Sequence, residues 1–406
     1  MKLKKRALFI VEAVTWSQVV RLMVLARGLV GYEVHFASAR FDDRLFAGTR
    51  FKRWPIHSLS AETVERAVAR GGRIYSTSTL RRYVREELRL FDAVKPDVVI
   101  SDLRWSTSVS APAFGVPCCT LIDAYWSRRA LRDAFPVPDH PIVKLLGVPM
   151  AEKYFPVALP HVFKSFVGPV NDLRREHGLP KFDDLLEMIT WGDRVLFPDD
   201  PSLTRLSSVA SNEVFLGPVL WTPRVPLPAF FSSVGRVRPL VYATLGSSGS
   251  LRATDAMIEG LSRLDVDVVL STAARFSPRS LPPNIHAVDM IPGDLAARRA
   301  SVVVCNGGAS TGYQALAEGT PVVGIASNLD QCLAMTAIRD VGAGVMLRAS
   351  TLRAEEVRDA VERVIRDDTY RTRARAIAQS FAAFDPHARF AAALASLTTE
   401  LASAAQ

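Results

Sequence analysis

The sequence predicts an α/β protein built as two Rossmann-like, doubly wound halves, and three features carry that expectation. An apolar strand, a helix and an alternating strand succeed one another between Ala7 and Ser38, the opening of a parallel-sheet domain. The same alternation restarts at Leu240, after a proline-rich stretch from Phe215 to Pro228. A strand, a glycine turn and a helix start then follow between Val302 and Thr311, an arrangement that binds anions at the helix end. At 406 residues the chain is long enough for two or three separate cores.

Taken in order, Ala7 to Val14 reads as a strand covered on both faces. A helix over Ser17 to Val30 stops at Gly31, and Tyr32 to Ser38 alternates as the second strand. Glu62 to Val94 is helical, with a break at Gly71-Gly72. Arg81, Arg82, Arg85 and Arg89 recur there at helical spacing beside Glu86 and Glu87, as on a solvated face. Pro96-Asp97 introduces a strand, Val98 to Asp102, then a helix over Thr107 to Phe114. Gly115 and Pro117 punctuate before the strand Cys118 to Asp123. Residues 124–170, rich in proline and aromatics, predict an irregular insertion that serves either as an acceptor-binding loop or as local packing. Val170 to Gly178 is helical and Arg194 to Pro198 a strand.

The second half opens with the strand Leu240 to Leu245 and the small-residue turn Gly246-Ser247-Ser248-Gly249. A helix over Thr254 to Leu264 and strands at Val266 to Thr272 and Ile285 to Ile291 follow. Val302 to Cys305 is a buried strand, Asn306-Gly307-Gly308 a sharp turn, and Ser310 and Thr311 are N-cap candidates for a helix that ends at Gly319. Pro321 begins the next strand, and Asn328 to Gln331 leads into another helix. The expected division is 1–216, a linker at 217–238, 239–385, and a last helix at 386–406.

Hydrophobic content of 49% and charged content of 22% exclude a disordered or fibrous chain. No apolar run reaches the ~18 residues needed to span a bilayer, so a cytoplasmic protein is expected. Cys118, Cys119, Cys305 and Cys332 lack metal-ligand spacing and read as buried apolar residues. The net charge of +9 is concentrated in residues 1–224. It suits solubility, an acidic acceptor or peripheral contact with an anionic membrane. The basic residues lack the interleaved aromatics of a nucleic-acid module, which argues against that partner.

The stretch Val302 to Gln331 resembles the donor-binding signature of the inverting, family-1-type nucleotide-sugar glycosyltransferases, HGG-x-GT-x-x-EA-x-x-x-G-x-P followed by DQ. Gly307, Gly308, Thr311, Ala315, Gly319, Pro321, Asp330 and Gln331 match it, whereas Asn306, Ser310 and Gln314 replace His, Gly and Glu. Tyr242 to Ser250 is similar to the family's strand and loop under the donor diphosphate. Asn284 to Pro292 resembles its segment ending in Pro-Gln, with Gly293 in place of Gln. The resemblance covers most of the chain and implies a GT-B fold, two Rossmann-like domains facing a cleft, with the last helix folded back on the first domain.

The resemblance also implies site residues. A diphosphate would lie at Ser310-Thr311-Gly312, facing Gly246-Ser247, with Asn306 donating to phosphate and no metal ion or other cofactor. Asp265-Val266-Asp267 has metal-motif spacing but reads as the start of a strand. Asp330 and Gln331 would hold sugar hydroxyls and Gln314 the ribose. Met290 replaces a base-stacking aromatic, leaving the base open between UDP and dTDP. In the acceptor half the family's catalytic His aligns with Gln18, and an amide has no usable basicity. Asp102 fits the assisting carboxylate and is itself a candidate base, or else a turn or cap residue. Glu12 is the second candidate, or a loop-facing charge. The implied partners are a nucleoside-diphosphate sugar and a small hydrophobic, phenolic or lipid-like acceptor, such as a bacterial secondary metabolite, in a monomer or homodimer. The missing His leaves a second expectation open: a catalytically altered relative that binds a nucleotide or metabolite, assists a partner enzyme or runs a reaction other than transfer.

Overall fold

The computed structural model describes residues 4–140, 143, 146–278 and 280–404. Two all-parallel sheets account for its strands. The first comprises β1 (Lys5–Val11), β2 (Tyr32–Ser38), β3 (Lys52–Pro55), β4 (Val98–Asp102), β5 (Cys118–Leu121), β6 (Arg194–Phe197) and β7 (Glu213–Phe215). Their order is β3-β2-β1-β4-β5-β6-β7. The second comprises β8 (Leu240–Thr244), β9 (Asp267–Ser271), β10 (Ile285–Val288), β11 (Val302–Cys305), β12 (Val322–Ala326) and β13 (Gly344–Arg348), ordered β10-β9-β8-β11-β12-β13. Each order reverses direction once, between β1 and β4 in the first sheet and between β8 and β11 in the second. Open α/β sheets gather ligands beyond the strand ends at such a switch point.

The chain divides into two compact units. One holds Met1–Ala134, Glu152–Val219 and Phe384–Gln406, the other Phe135–Ala151 and Leu220–Ala383. The central strands of both are apolar along their length and buried on both faces, as helices on either side require. In the first unit Leu8, Ile10, Val99 and Cys118 pack with Leu90, Phe91 and Val94 of the Thr77–Val94 helix. In the second, Val241, Val268, Val302 and Val304 pack with Met257, Val357 and Val361. All four cysteines are buried and unpaired.

The last helix, Pro386–Ala404, belongs to the first unit, and residues 405–406 lie outside the described ones. Phe390 and Leu394 are fully buried, Phe390 lies 6.1 Å from the Phe9 ring, and Arg389 Nε donates to Phe215 O. Gly28 makes room for His387, because a Cβ there would collide with the imidazole.

Two boundaries differ from the expected ones. Residues 135–151 belong with the second unit, because Asp139 accepts from Arg348 Nη1 (3.1 Å), Ser350 N (2.8 Å) and Ser350 Oγ (2.6 Å) beside β13. The expected linker is not free chain, since Phe231 O and Val234 O both accept from Arg299. The insertion at 124–170 also holds a helix, Val148–Phe166, although residues 141, 142, 144 and 145 lie outside the described ones. Ala151, Phe155, Leu159 and Phe163 recur every four residues, and Ala151, Leu159 and Phe163 are buried. Pro156 and Pro160 are exposed, so that inner stripe outweighs the two lost N–H groups. Among the described residues no helix is long and apolar enough to cross a membrane.

Candidate active site

The donor-side residues gather at the C-terminal edge of the second sheet. β8 leads into Gly246–Gly249 and β11 into Asn306–Gly308, and Thr244 lies opposite Cys305 in the parallel pair, so the two loops rise side by side. Gly246 (φ 57°) and Gly307 (φ 76°) are left-handed, a backbone that L side chains rarely adopt. A Cβ on Gly307 would also sit 2.7 Å from Met335 Cγ. The Cys305 thiol accepts from Gly307 N–H at 3.3 Å. Asn306 Oδ1 accepts from Gly308 N–H at 3.3 Å while its Nδ2 donates to Ser248 Oγ at 3.1 Å. Asn306 is buried and braces one loop against the other. Ser247 is exposed.

The next helix is Ala309–Ala317, and its N-cap is Gly308, with extended backbone and no side-chain capping bond. Ser310 and Thr311, the expected caps, lie inside the first turn instead. The sharp bend at Gly307 starts the helix early, and the first helical bond runs from Gly312 N–H to Gly308 O at 3.1 Å. The positive end of the helix dipole therefore meets the paired loops.

Gln331 is held by the protein on several sides. It is buried, its Oε1 accepts from Ser327 N and Oγ, both at 2.9 Å, and its N–H donates to Asn328 Oδ1 at 2.9 Å. Its Nε2 reaches Ser248 O at 3.4 Å. The side chain caps the Leu329–Asp340 helix and ties it to the Gly246–Gly249 loop. Asp330, next to it in the first turn, is half-buried.

Gln314 Nε2 donates to Trp221 O (3.0 Å) and Thr222 Oγ1 (2.8 Å). A Cβ on Gly293 would collide with Gln314 Oε1. Two departures from the family pattern, at 293 and 314, are thus one packing arrangement. Met290 is half-buried between β10 and the Gly293–Arg299 helix. Asp267 starts β9 and accepts from Gly235 N at 2.7 Å and from Arg238, a structural role.

In the first unit the expected candidates sit at the switch point of that sheet, each committed to a partner. Gln18 Oε1 accepts from Thr15 N–H at 2.9 Å and so closes the start of the Trp16–Arg27 helix. Asp102 is fully buried, and Arg21 grips it through Nε (3.2 Å) and Nη2 (3.1 Å). The same guanidinium donates through Nη1 to both oxygens of Asp123, at 2.8 and 2.7 Å. Glu12 is also buried, not loop-facing. It accepts from Arg104 Nη1 at 3.0 Å and from Leu59 N–H at 3.1 Å. Arg104 pairs as well with Glu87 at 2.8 Å and lies 3.8 Å over the Tyr83 ring. Burial raises the Glu12 carboxyl above its ordinary value despite that guanidinium, which Glu87 shares.

Residues 255–396 match the family described as erythromycin biosynthesis protein CIII-like, C-terminal domain. A PGL/p-HBAD biosynthesis glycosyltransferase of Mycobacterium tuberculosis is 41% identical over 381 residues, covering 93% of this chain and 89% of that one. A PGL/p-HBAD biosynthesis rhamnosyltransferase of Mycobacterium bovis is 40% identical over 381 residues, covering 93% and 84%. An inactive PGL/p-HBAD biosynthesis glycosyltransferase of Mycobacterium bovis is 39% identical over 267 residues, covering 65% and 73%. Among solved structures, the spinosyn forosaminyltransferase SpnP superposes with a TM-score of 0.71 at 19% identity, over 98% of this chain and all of that one. The spinosyn rhamnosyltransferase SpnG complexed with thymidine diphosphate gives 0.69 at 18% identity, covering 97% and 100%.

The chain is a family-1-type GT-B glycosyltransferase. Its two parallel-sheet units carry that fold. Three arginines of the glycosyltransferase escaped the sequence reading. Arg21 lies one turn beyond Gln18 on the same helix, and Arg104 lies two residues past the end of β4, so spacing alone could have flagged both. Arg275 follows β9 at the same sheet edge as the glycine loops. Its Nη1 donates to Gly249 O at 2.7 Å and to Gly246 O at 3.3 Å. Among the described residues no group of three or more His, Cys, Asp or Glu side chains has metal-binding geometry.

Proposed function

We propose that this glycosyltransferase moves a sugar, with inversion, from a nucleoside diphosphate to the hydroxyl of a phenolic or lipid-like acceptor. The observation that carries the donor half is the start of the Ala309–Ala317 helix at Gly308, set beside two left-handed glycine loops that Asn306 and Gln331 hold together. Such an end stabilises an anion without reorganising. The PGL/p-HBAD biosynthesis named for its relatives favours a secondary-metabolite acceptor, and the thymidine diphosphate bound by SpnG favours dTDP as the nucleotide.

In this reading the acceptor oxygen bonds to the anomeric carbon as the bond from that carbon to the diphosphate breaks. The electron pair leaves on the diphosphate, and the helix end with its loop amides receives the charge. The acceptor proton passes to the Asp102–Asp123 pair. Asp102 and Asp123 share the one Arg21 guanidinium, which sets two carboxylates side by side at the switch point of the first sheet. Incubation with dTDP-, UDP- and GDP-linked sugars and phenolic acceptors tests the proposal. A glycoside of inverted anomeric configuration is expected, and absence of binding to all three donor classes by calorimetry rejects it.

A second reading has its own observation. Gln18, Asp102 and Glu12 are all engaged with the protein, which suits a chain that binds a nucleotide-sugar without transferring the sugar. Donor binding without product, unchanged by Gln18→His, would favour it.

A further inference from the structure

Resting on the donor reading above, we propose that Arg275 supplies the positive charge that faces the departing diphosphate, a role the glycine loops and the uncharged Asn306 leave unfilled. Three observations converge on it. The first is position: Arg275 comes four residues after Ser271, the last residue of β9, and β9 pairs with β8, so its loop lies beside Gly246–Gly249. The second is attachment. Nη1 bridges the carbonyls of Gly249 and Gly246, the loop expected under the diphosphate, and the side chain is half-buried. Gly246 in turn is close to Asn306, since a Cβ on it would lie 3.9 Å from the amide. Guanidinium, glycine loop and helix start are therefore consecutive neighbours.

The third observation is backbone strain. Ala273 (φ 53°) and Ala274 (φ 55°) are both left-handed without being glycine, immediately before Arg275. Such residues cost of order 1 kcal/mol each and persist where the surroundings enforce them. Here the enforced feature is the turn that delivers Arg275 to the loop. With Nη1 holding carbonyls, the rest of the planar fork retains donors of the kind that suit phosphate oxygens. Arg252, on the turn after the same loop, is exposed and serves as a comparison.

The experiment measures the affinity of thymidine, dTMP and dTDP by calorimetry for wild type, Arg275→Ala, Arg275→Gln, Arg275→Lys and Arg252→Ala, at low and high salt. Wild type is expected to gain affinity from nucleoside to diphosphate. Arg275→Ala and Arg275→Gln should lose about 10–100-fold of that gain, with a shallower salt dependence and unchanged thymidine binding. Arg275→Lys should recover part of it, and Arg252→Ala should resemble wild type. Gln retains a donor without charge, which separates loop anchoring from electrostatics. If the variants weaken thymidine and dTDP equally, Arg275 only shapes the loop and the inference is overturned. A preserved gain in Arg275→Ala and Arg275→Gln overturns it too. Wild type showing no gain from the diphosphate rejects the donor reading itself.

Discussion

The carboxamide of Gln314 fills the space that any side chain at position 293 would need. Because Gln314 also holds Trp221 O and Thr222 Oγ1, the Gly293–Arg299 helix and the segment at 221–222 are positioned by one amide. Gly293→Ala should destabilise by about 1–3 kcal/mol, and Gln314→Ala by about 1 kcal/mol for its lost hydrogen bonds. The double variant should cost less than the sum, since removing the amide removes the clash. Urea midpoints of the four proteins measure the coupling, and strict additivity would contradict it.

Asp330 and Gln331 are adjacent but should fail differently. Gln331→Ala removes a buried cap and the tie to Ser248, so it should lower stability by about 1–2 kcal/mol and weaken every nucleotide ligand. Asp330→Ala should raise KM for the sugar nucleotide with a smaller loss of melting temperature than Gln331→Ala. Thermal scans beside initial rates separate the two.

Arg21 pairs with two buried carboxylates at once. Arg21→Met should destabilise by about 3–5 kcal/mol, as removal of one partner from a buried pair does. Asp102→Asn and Asp123→Asn keep the shape and remove one charge each. Whichever takes the acceptor proton should lower kcat by roughly 10²–10⁴-fold with little change in donor KM. Equal and small effects of both would exclude the pair as the base.

The raised Glu12 carboxyl gives a pH dependence of known sign. Burial makes its folded pKa exceed the unfolded one, so the folded state binds the proton more tightly. That contribution to stability is complete below the ordinary glutamate value of 4.5 and is lost as pH rises through the folded pKa. Wild type should therefore lose stability relative to Glu12→Gln as pH climbs from 4.5 upward. Denaturant midpoints of both proteins across that range check it, and parallel curves would contradict it.

Much of the donor site is legible in the chain itself, because its parts are local. Val302 to Gly319 encodes a strand, a turn and a helix within one short stretch, and Gly307 is required where φ is 76°. The individual roles are less legible. Asn306 and Gln331 match or replace ligand positions, yet both reach Ser248, more than fifty residues earlier in the chain. The Val148–Phe166 helix was hidden because two prolines outweigh its apolar stripe in any local reading.

The sequence by itself determined the two α/β halves, their central strands and the glycine turns, but not the edge strands β3, β7 and β13, since periodicity and backbone freedom are properties of neighbouring residues and short edge strands carry little of either. Only the tertiary structure decided which charges pair. Arg21 meets Asp102 and Asp123 across 81 and 102 residues, and Arg104 meets Glu12 across 92. Nothing local selects one buried carboxylate over another. The choice falls when the strand ends converge and each guanidinium, cut off from water, must find its counter-charge within reach.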